Sequence, residues 1–143
     1  MTPDNKTKLY GDLFTTFTGT IAGIQGADNI TANYASAGAP AAAAIGAYPI
    51  TATLNDPGNR LANYTVTLNT GTLTVTQRPL TVTPNNASKI YGNVFNTFTG
   101  TIVGIQNADA ITATYSSPSS VATATVPGSP CTITAVLNAT AGV

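Results

Sequence analysis

Few side chains in this sequence can do chemistry, and their types narrow what it can be. Histidine and glutamate are absent, and the acidic residues are five aspartates: Asp4, Asp12, Asp28, Asp56 and Asp109. General acid–base work would fall to aspartate with lysine or tyrosine as its partner. A serine nucleophile would lack a histidine base, and no two carboxylates are paired in sequence as a glycosidase requires. One cysteine and no histidine exclude a zinc site. No Asp-x-Asp pair opens a calcium loop, and no glutamate could close one. Every aspartate sits in a turn context, where a carboxylate caps nearby backbone N–H groups. The residues therefore predict no catalytic site, no metal site and no cofactor.

Three other residue sets invite chemistry. Lys8 and Lys89 occupy equivalent places and would permit a Lys–Asn isopeptide cross-link, but the plainer expectation for each is a solvated charge at a strand end. Cys131 has no partner for an internal disulfide and reads as a small, buried or half-buried apolar side chain. The Thr-x-Thr rows, such as Thr65/Thr67 and Thr74/Thr76, are what an exposed sheet face prefers. Gln77-Arg78-Pro79 breaks those rows, which argues against an ice-binding face. Tyr10, Tyr34, Tyr91 and Tyr115 could stack on sugars, but their preserved spacing points to core packing.

That spacing comes from an internal repeat, around which the elements must be arranged. Thr83–Ser117 repeats Thr2–Ser36 without a gap: Tyr10-Gly11 becomes Tyr91-Gly92, Phe14 and Phe17 become Phe95 and Phe98, and Tyr34 becomes Tyr115. So long a period suits small domains in tandem rather than the rungs of a solenoid. The boundaries read as 1–77 for a first repeat lacking its first strand, and 78–143 for a second lacking the C-terminal hairpin.

Within each repeat, alternation marks the strands. Leu80–Val82, Ile30–Tyr34 with Ile111–Tyr115, and Tyr48–Leu54 with Cys131–Leu137 all alternate. Tyr64–Leu68 and Leu73–Val75 read as a hairpin across Asn69–Thr72. Thr18–Ile24 reads as a strand loosened by glycines. Gly26 exchanges with Asn107 at a turn, as left-handed backbone allows. Tyr10-Gly11 and Tyr91-Gly92 form the structural motif, an aromatic followed by a turn glycine with positive φ. The stretch from Ala35 to Gly46 is a loop with at most one helical turn, in the first copy only.

Charged residues make up 7% of the 143 and the formal net charge is zero, so no basic face offers itself to nucleic acid. Solubility then rests on Thr, Asn and Ser, which favours an extracellular or cell-surface setting. The N-terminus is polar with no apolar core, so an export signal is expected outside this fragment. No apolar run is long enough to span a membrane.

Lys8-Leu9-Tyr10-Gly11, Tyr48-Pro49-Ile50-Thr51-Ala52, Asn63-Tyr64-Thr65-Val66 and Gly71-Thr72-Leu73-Thr74-Val75 follow one another in a fixed order. This series resembles the MBG repeats, Tyr-Gly type, of large bacterial surface proteins of the adhesin or haemagglutinin-like kind. The second copy departs from it with Cys131-Thr132 where the first has Tyr48-Pro49. The resemblance implies tandem extracellular β-domains, linked to mucin or glycan by name more than by a defined site, and implies no catalytic residue.

The expected fold is all-β: two tandem small antiparallel domains with little or no helix, each an immunoglobulin-like sandwich or a β-grasp-like sheet. The expected function is a non-catalytic spacer and interaction module of an adhesin stalk. Neighbouring repeats or identical chains would be its partners through open sheet edges, self-associating into filaments. The alternative is a module that binds host or matrix glycans or mucin.

Overall fold

A computed structural model describes residues 1–126 and 130–139. The chain is all-β and divides into two compact units, Met1–Arg78 and a second beginning at Pro79. In the first, β1 (Thr2–Pro3) pairs antiparallel with β3 (Gly19–Thr20). A separate four-stranded sheet runs in the order β2 (Lys6–Leu9), β6 (Gly71–Thr76), β5 (Gly46–Asn55), β4 (Thr31–Ser36). The β2–β6 pair is parallel and the others are antiparallel.

β6 is central to that sheet, and its sequence explains why. In Gly-Thr-Leu-Thr-Val-Thr, Gly71, Leu73 and Val75 are buried and the threonines between them are half-buried. With Ile30 and Ile50 they form the core, and Ile50 and Leu73 are fully buried. Each such side chain contributes about 1.5–3 kcal/mol when taken from water. Gly71 is required by close approach, since a Cβ there would stand 3.0 Å from the Pro3 carbonyl oxygen.

The second unit repeats the outer elements. β7 (Thr81–Pro84) pairs with β8 (Gly100–Val103), and β9 (Ile111–Ser116) with β10 (Thr134–Ala139), both antiparallel. Thr83↔Thr101 and Pro84↔Gly100 reproduce Thr2↔Thr20 and Pro3↔Gly19. β1 thus corresponds to Thr83–Pro84, the last two residues of β7.

Several expectations change. Tyr64–Leu68 is not a strand and forms no hairpin with Leu73–Val75. Both edges of β6 are taken by β2 and β5, so the alternating Thr-Val-Thr stretch finds no partner in the sheet. It is held instead by Met1, whose N-terminal amine donates to the Thr67 carbonyl at 2.9 Å and whose carbonyl accepts from Asn69 N at 3.0 Å. Of Thr18–Ile24, only Gly19–Thr20 is strand. Cys131–Ile133 lies outside β10, although the equivalent half of β5 is extended and paired with β6. In the loop after β9 the helical turn belongs to the second copy, as a 3-10 turn over Pro118–Ser120. Pro118 starts it with a fixed φ, and Ser117 Oγ accepts from Ser119 N. A second 3-10 turn covers Leu61–Asn63. Residues 127–129 and 140–143 of the second repeat lie outside the described residues.

The turn exchange is direct: Gly26 has φ 60 and Asn107 φ 52, both left-handed. Gly11 at φ 89 and Gly92 at φ 88 share that region.

Candidate functional site

The Tyr-Gly motif closes the end of β2, and Lys8 is its anchor. Lys8 is 6% exposed. Its ammonium donates to three backbone carbonyls: Asp12 at 2.8 Å, Ala39 at 3.2 Å and Pro40 at 2.5 Å. The expected solvated charge is therefore a buried clamp joining the Tyr-Gly corner to the loop after β4. Burial lowers the Lys8 pKa from its ordinary value, and the nearby Asp12 carboxylate opposes that shift. Phe14 N donates to the Ala39 carbonyl at 2.9 Å, reinforcing the junction, and the Phe14 and Phe17 rings meet edge-on at 4.9 Å.

Above this corner lies the far end of β6. Tyr10 N donates to Thr76 O at 2.8 Å, and Arg78 Nε donates to Tyr10 O at 2.6 Å. Arg78 also pairs with the Asp12 carboxylate. Arg78 drew attention in the sequence only as part of a break between threonine rows.

The second copy keeps the corner without its cover. Lys89 donates to Asn93 O at 3.1 Å and to Val121 O, and Phe95 N donates to Ser120 O at 2.8 Å. Phe95 and Phe98 again meet edge-on, at 5.1 Å. Tyr91, however, is 65% exposed, whereas Tyr10 is half-buried. Core packing expected for Tyr91 does not occur, because no strand equivalent to β6 crosses over it among the described residues. Cys131 is likewise exposed rather than buried, and accepts from Ser119 Oγ. Between these residues opens a cleft of about 550 Å³, lined among others by Ala87, Lys89, Tyr91, Phe95, Cys131 and Ile133.

The aspartates serve the fold. Asp56 caps locally, accepting from Leu61 N at 2.8 Å. That bond, then one from Arg60 N, lowers its pKa below the ordinary value. Asp28 was expected to cap its own turn. It accepts instead from Tyr64 Oη at 2.7 Å and lies 3.7 Å from Arg60 Nε. The carboxylate's bond to the phenol raises the Tyr64 pKa, and Gln25 N donates to the same oxygen at 3.0 Å. Asp4 accepts from Thr18 Oγ1 at 2.5 Å. Among the described residues, no three metal-ligating side chains cluster.

The cleft lining mixes the apolar side chains of Phe95, Phe98 and Ile133 with Ser117, Thr132 and the Lys89 amine. No curated protein and no solved structure matches the chain. A family model described as MBG domain (YGX type) matches residues 1–74 and again residues 80–140.

Proposed function

The chain belongs to the MBG domain family, YGX type, in two tandem copies, and on that premise we propose that it is a non-catalytic spacer and interaction module of an extracellular, adhesin-like bacterial surface protein. The tandem repetition of one small β-domain carries this reading, since repetition extends a structure without adding chemistry. MBG domains are repeat modules of surface proteins. No helix among the described residues is long and apolar enough to cross a membrane. Asp4, Asp12, Asp28 and Asp56 are each committed to a hydrogen bond or ion pair of the fold, which leaves acid–base chemistry poorly provided for.

Interaction with neighbouring repeats or identical chains, up to filaments, is part of the same proposal, because open strand edges recruit strands. Antibody raised against the chain should label intact source cells without permeabilisation. Labelling that appears only after lysis would overturn the surface reading.

A glycan- or mucin-binding module is the competing reading, and the exposure of Tyr91 favours it, since an exposed ring can stack on a sugar face. Saturable mucin binding lost in Tyr91→Ala would establish that reading. Binding no higher than to an unrelated β-domain would leave the spacer reading standing.

A further inference from the structure

The fold uses only the middle residue of Asn63-Tyr64-Thr65. Tyr64 is an anchor: its hydroxyl donates to the Asp28 carboxylate at 2.7 Å and accepts from Gln25 N at 3.0 Å. Its backbone is extended, with φ -123 and ψ 144. In extended backbone the two side chains that flank a residue share one side, opposite to its own. Asn63 and Thr65 therefore project together, away from the anchored ring, and both are exposed. Neither side chain has a hydrogen-bond partner among the described residues. Asn63 ends a 3-10 turn, and residues 65–70 beyond it are exposed and lie outside any strand.

We propose that Asn63 is an acceptor for N-linked sugar. An asparagine with a hydroxyl residue two positions on, and no proline between, is the N-glycosylation pattern, and it belongs on a surface loop of an exported protein. In the transfer, Asn63 Nδ2 bonds to the anomeric carbon of a sugar carried on a diphosphate. The bond from that carbon to the diphosphate oxygen breaks, and the carrier leaves with the electron pair. The Nδ2 proton passes to a base of the transferase. The carrier is a nucleotide or a lipid, and both present the same reacting carbon. The Thr65 hydroxyl stands on the same side as the Asn63 amide, where one transferase site reads both.

The fold selects this position from the first unit's three such motifs. In Asn5-Lys6-Thr7, Asn5 is committed to the sheet: its Oδ1 accepts from Thr72 N at 2.8 Å, and Lys6 and Thr7 belong to β2. In Asn29-Ile30-Thr31, Ile30 is core at 7% exposure and Thr31 opens β4. A transferase could not draw in that stretch without opening the unit. Asn63 and Thr65 need no such opening, since both already face solvent outside the sheet. A sugar on Asn63 also stands close in sequence to Val66 and Leu68, exposed apolar side chains in a stretch without charge. It would cover apolar surface with hydroxyls. The proposal rests on the surface-protein reading and adds a modification to it.

Protein isolated from the cells that make it, digested and sequenced by electron-transfer mass spectrometry, tests it. A peptide carrying sugar on Asn63 is expected, with Asn29 and Asn59 bare. Asn59 is the control for exposure alone, since it is exposed in the same loop but has Leu61 at the hydroxyl position. A single sugar residue identifies the nucleotide carrier and a preassembled oligosaccharide the lipid carrier, and either one supports the proposal. In the same cells, Thr65→Ala should abolish the sugar and Thr65→Ser should keep it. Retention with serine shows that the hydroxyl, rather than folding, decides the outcome. Bare Asn63, equal occupancy at Asn29, or occupancy indifferent to Thr65→Ala would each overturn the proposal. Surface labelling of cells is independent of these outcomes, so a chain that labels at the surface but carries no sugar loses only this inference.

Discussion

The Tyr34 ring lies so close over Gly19 that a Cβ on the glycine would stand 2.7 Å from both Tyr34 Cζ and Oη. Tyr115 repeats this over Gly100, where a Cβ would meet the ring at 2.4 and 2.5 Å. The glycine in the repeated Thr-Gly-Thr motif is therefore the floor on which a repeat-preserved tyrosine rests. Backbone also blocks any side chain there: Pro3 Cα at 2.8 Å in the first unit, the Thr83 carbonyl at 2.7 Å in the second. Gly19→Ala and Gly100→Ala should each cost about 1–3 kcal/mol, as overpacking does, read by urea denaturation. A neutral result at both would mean the tyrosines do not pack as described.

Gly11 and Gly92 offer a different test, since their constraint is φ rather than space. At φ 89 and 88 an L-residue is strained, and alanine at either should lower stability by about 1 kcal/mol or more. For Gly92 no atom lies near the added Cβ, so its cost isolates the backbone effect. If Gly92→Ala melts like the parent, the Tyr-Gly corner is not a conformational requirement.

Lys8→Met keeps the apolar stem and removes the ammonium, leaving the carbonyls of Asp12, Ala39 and Pro40 without that donor. Stranded buried acceptors cost about 1–3 kcal/mol. Lys89→Met should cost less, because Lys89 is only half-buried and water can reach its carbonyls. Equal losses at the two lysines would contradict the difference in burial between the corners.

The pH dependence has a definite sign at Asp56. Hydrogen bonds from Leu61 N and Arg60 N hold its folded pKa below the ordinary 3.8. The folded state therefore binds this proton less readily than the unfolded one. The resulting stabilisation is fully present above pH 3.8 and declines as pH falls from there through the lowered value. Melting curves of parent and Asp56→Asn should be separated by a nearly constant gap above pH 3.8 that narrows in more acid solution. A gap independent of pH would show that the caps do not favour the charged carboxylate.

Much of the frame was legible because it is local. Alternation at Ile111–Tyr115 marks a half-buried strand wherever that strand sits, and the Gly26/Asn107 exchange reports left-handed backbone by residue type alone. Partner choice was not legible. Thr65-Val66-Thr67-Leu68 and Thr72-Leu73-Thr74-Val75 carry nearly the same pattern, yet only the second is a strand, because β2 and β5 offer it two edges. Cys131–Ile133 shows the converse: a good strand sequence stays out of the ladder where no neighbour pairs with it. The burial of Lys8 was not legible, because its acceptors include Ala39 and Pro40, carbonyls more than thirty positions away whose approach no spacing announces.

The two units should also differ in stability, for a reason traceable to β6. Leu73 and Val75 supply half of the first unit's buried apolar side chains, the others being Ile30 and Ile50. Their second-unit counterparts Ile111 and Ile133 are only half-buried, and no large apolar side chain is buried among that unit's described residues. Local opening free energy follows buried apolar contact and ladder pairing. Amides of β5 and β6 should therefore exchange most slowly in the chain, and those of β9 and β10 markedly faster. Leu73→Ala removes the fully buried centre of the sheet and should cost about 2–5 kcal/mol, bringing first-unit exchange toward that of the second. The readout is site-resolved, so the loss must appear at β2, β5 and β6 while β7–β10 keep their rates. Slower exchange in β9 than in β6 of the parent chain would refute the assignment of β6 as the strand that makes the core.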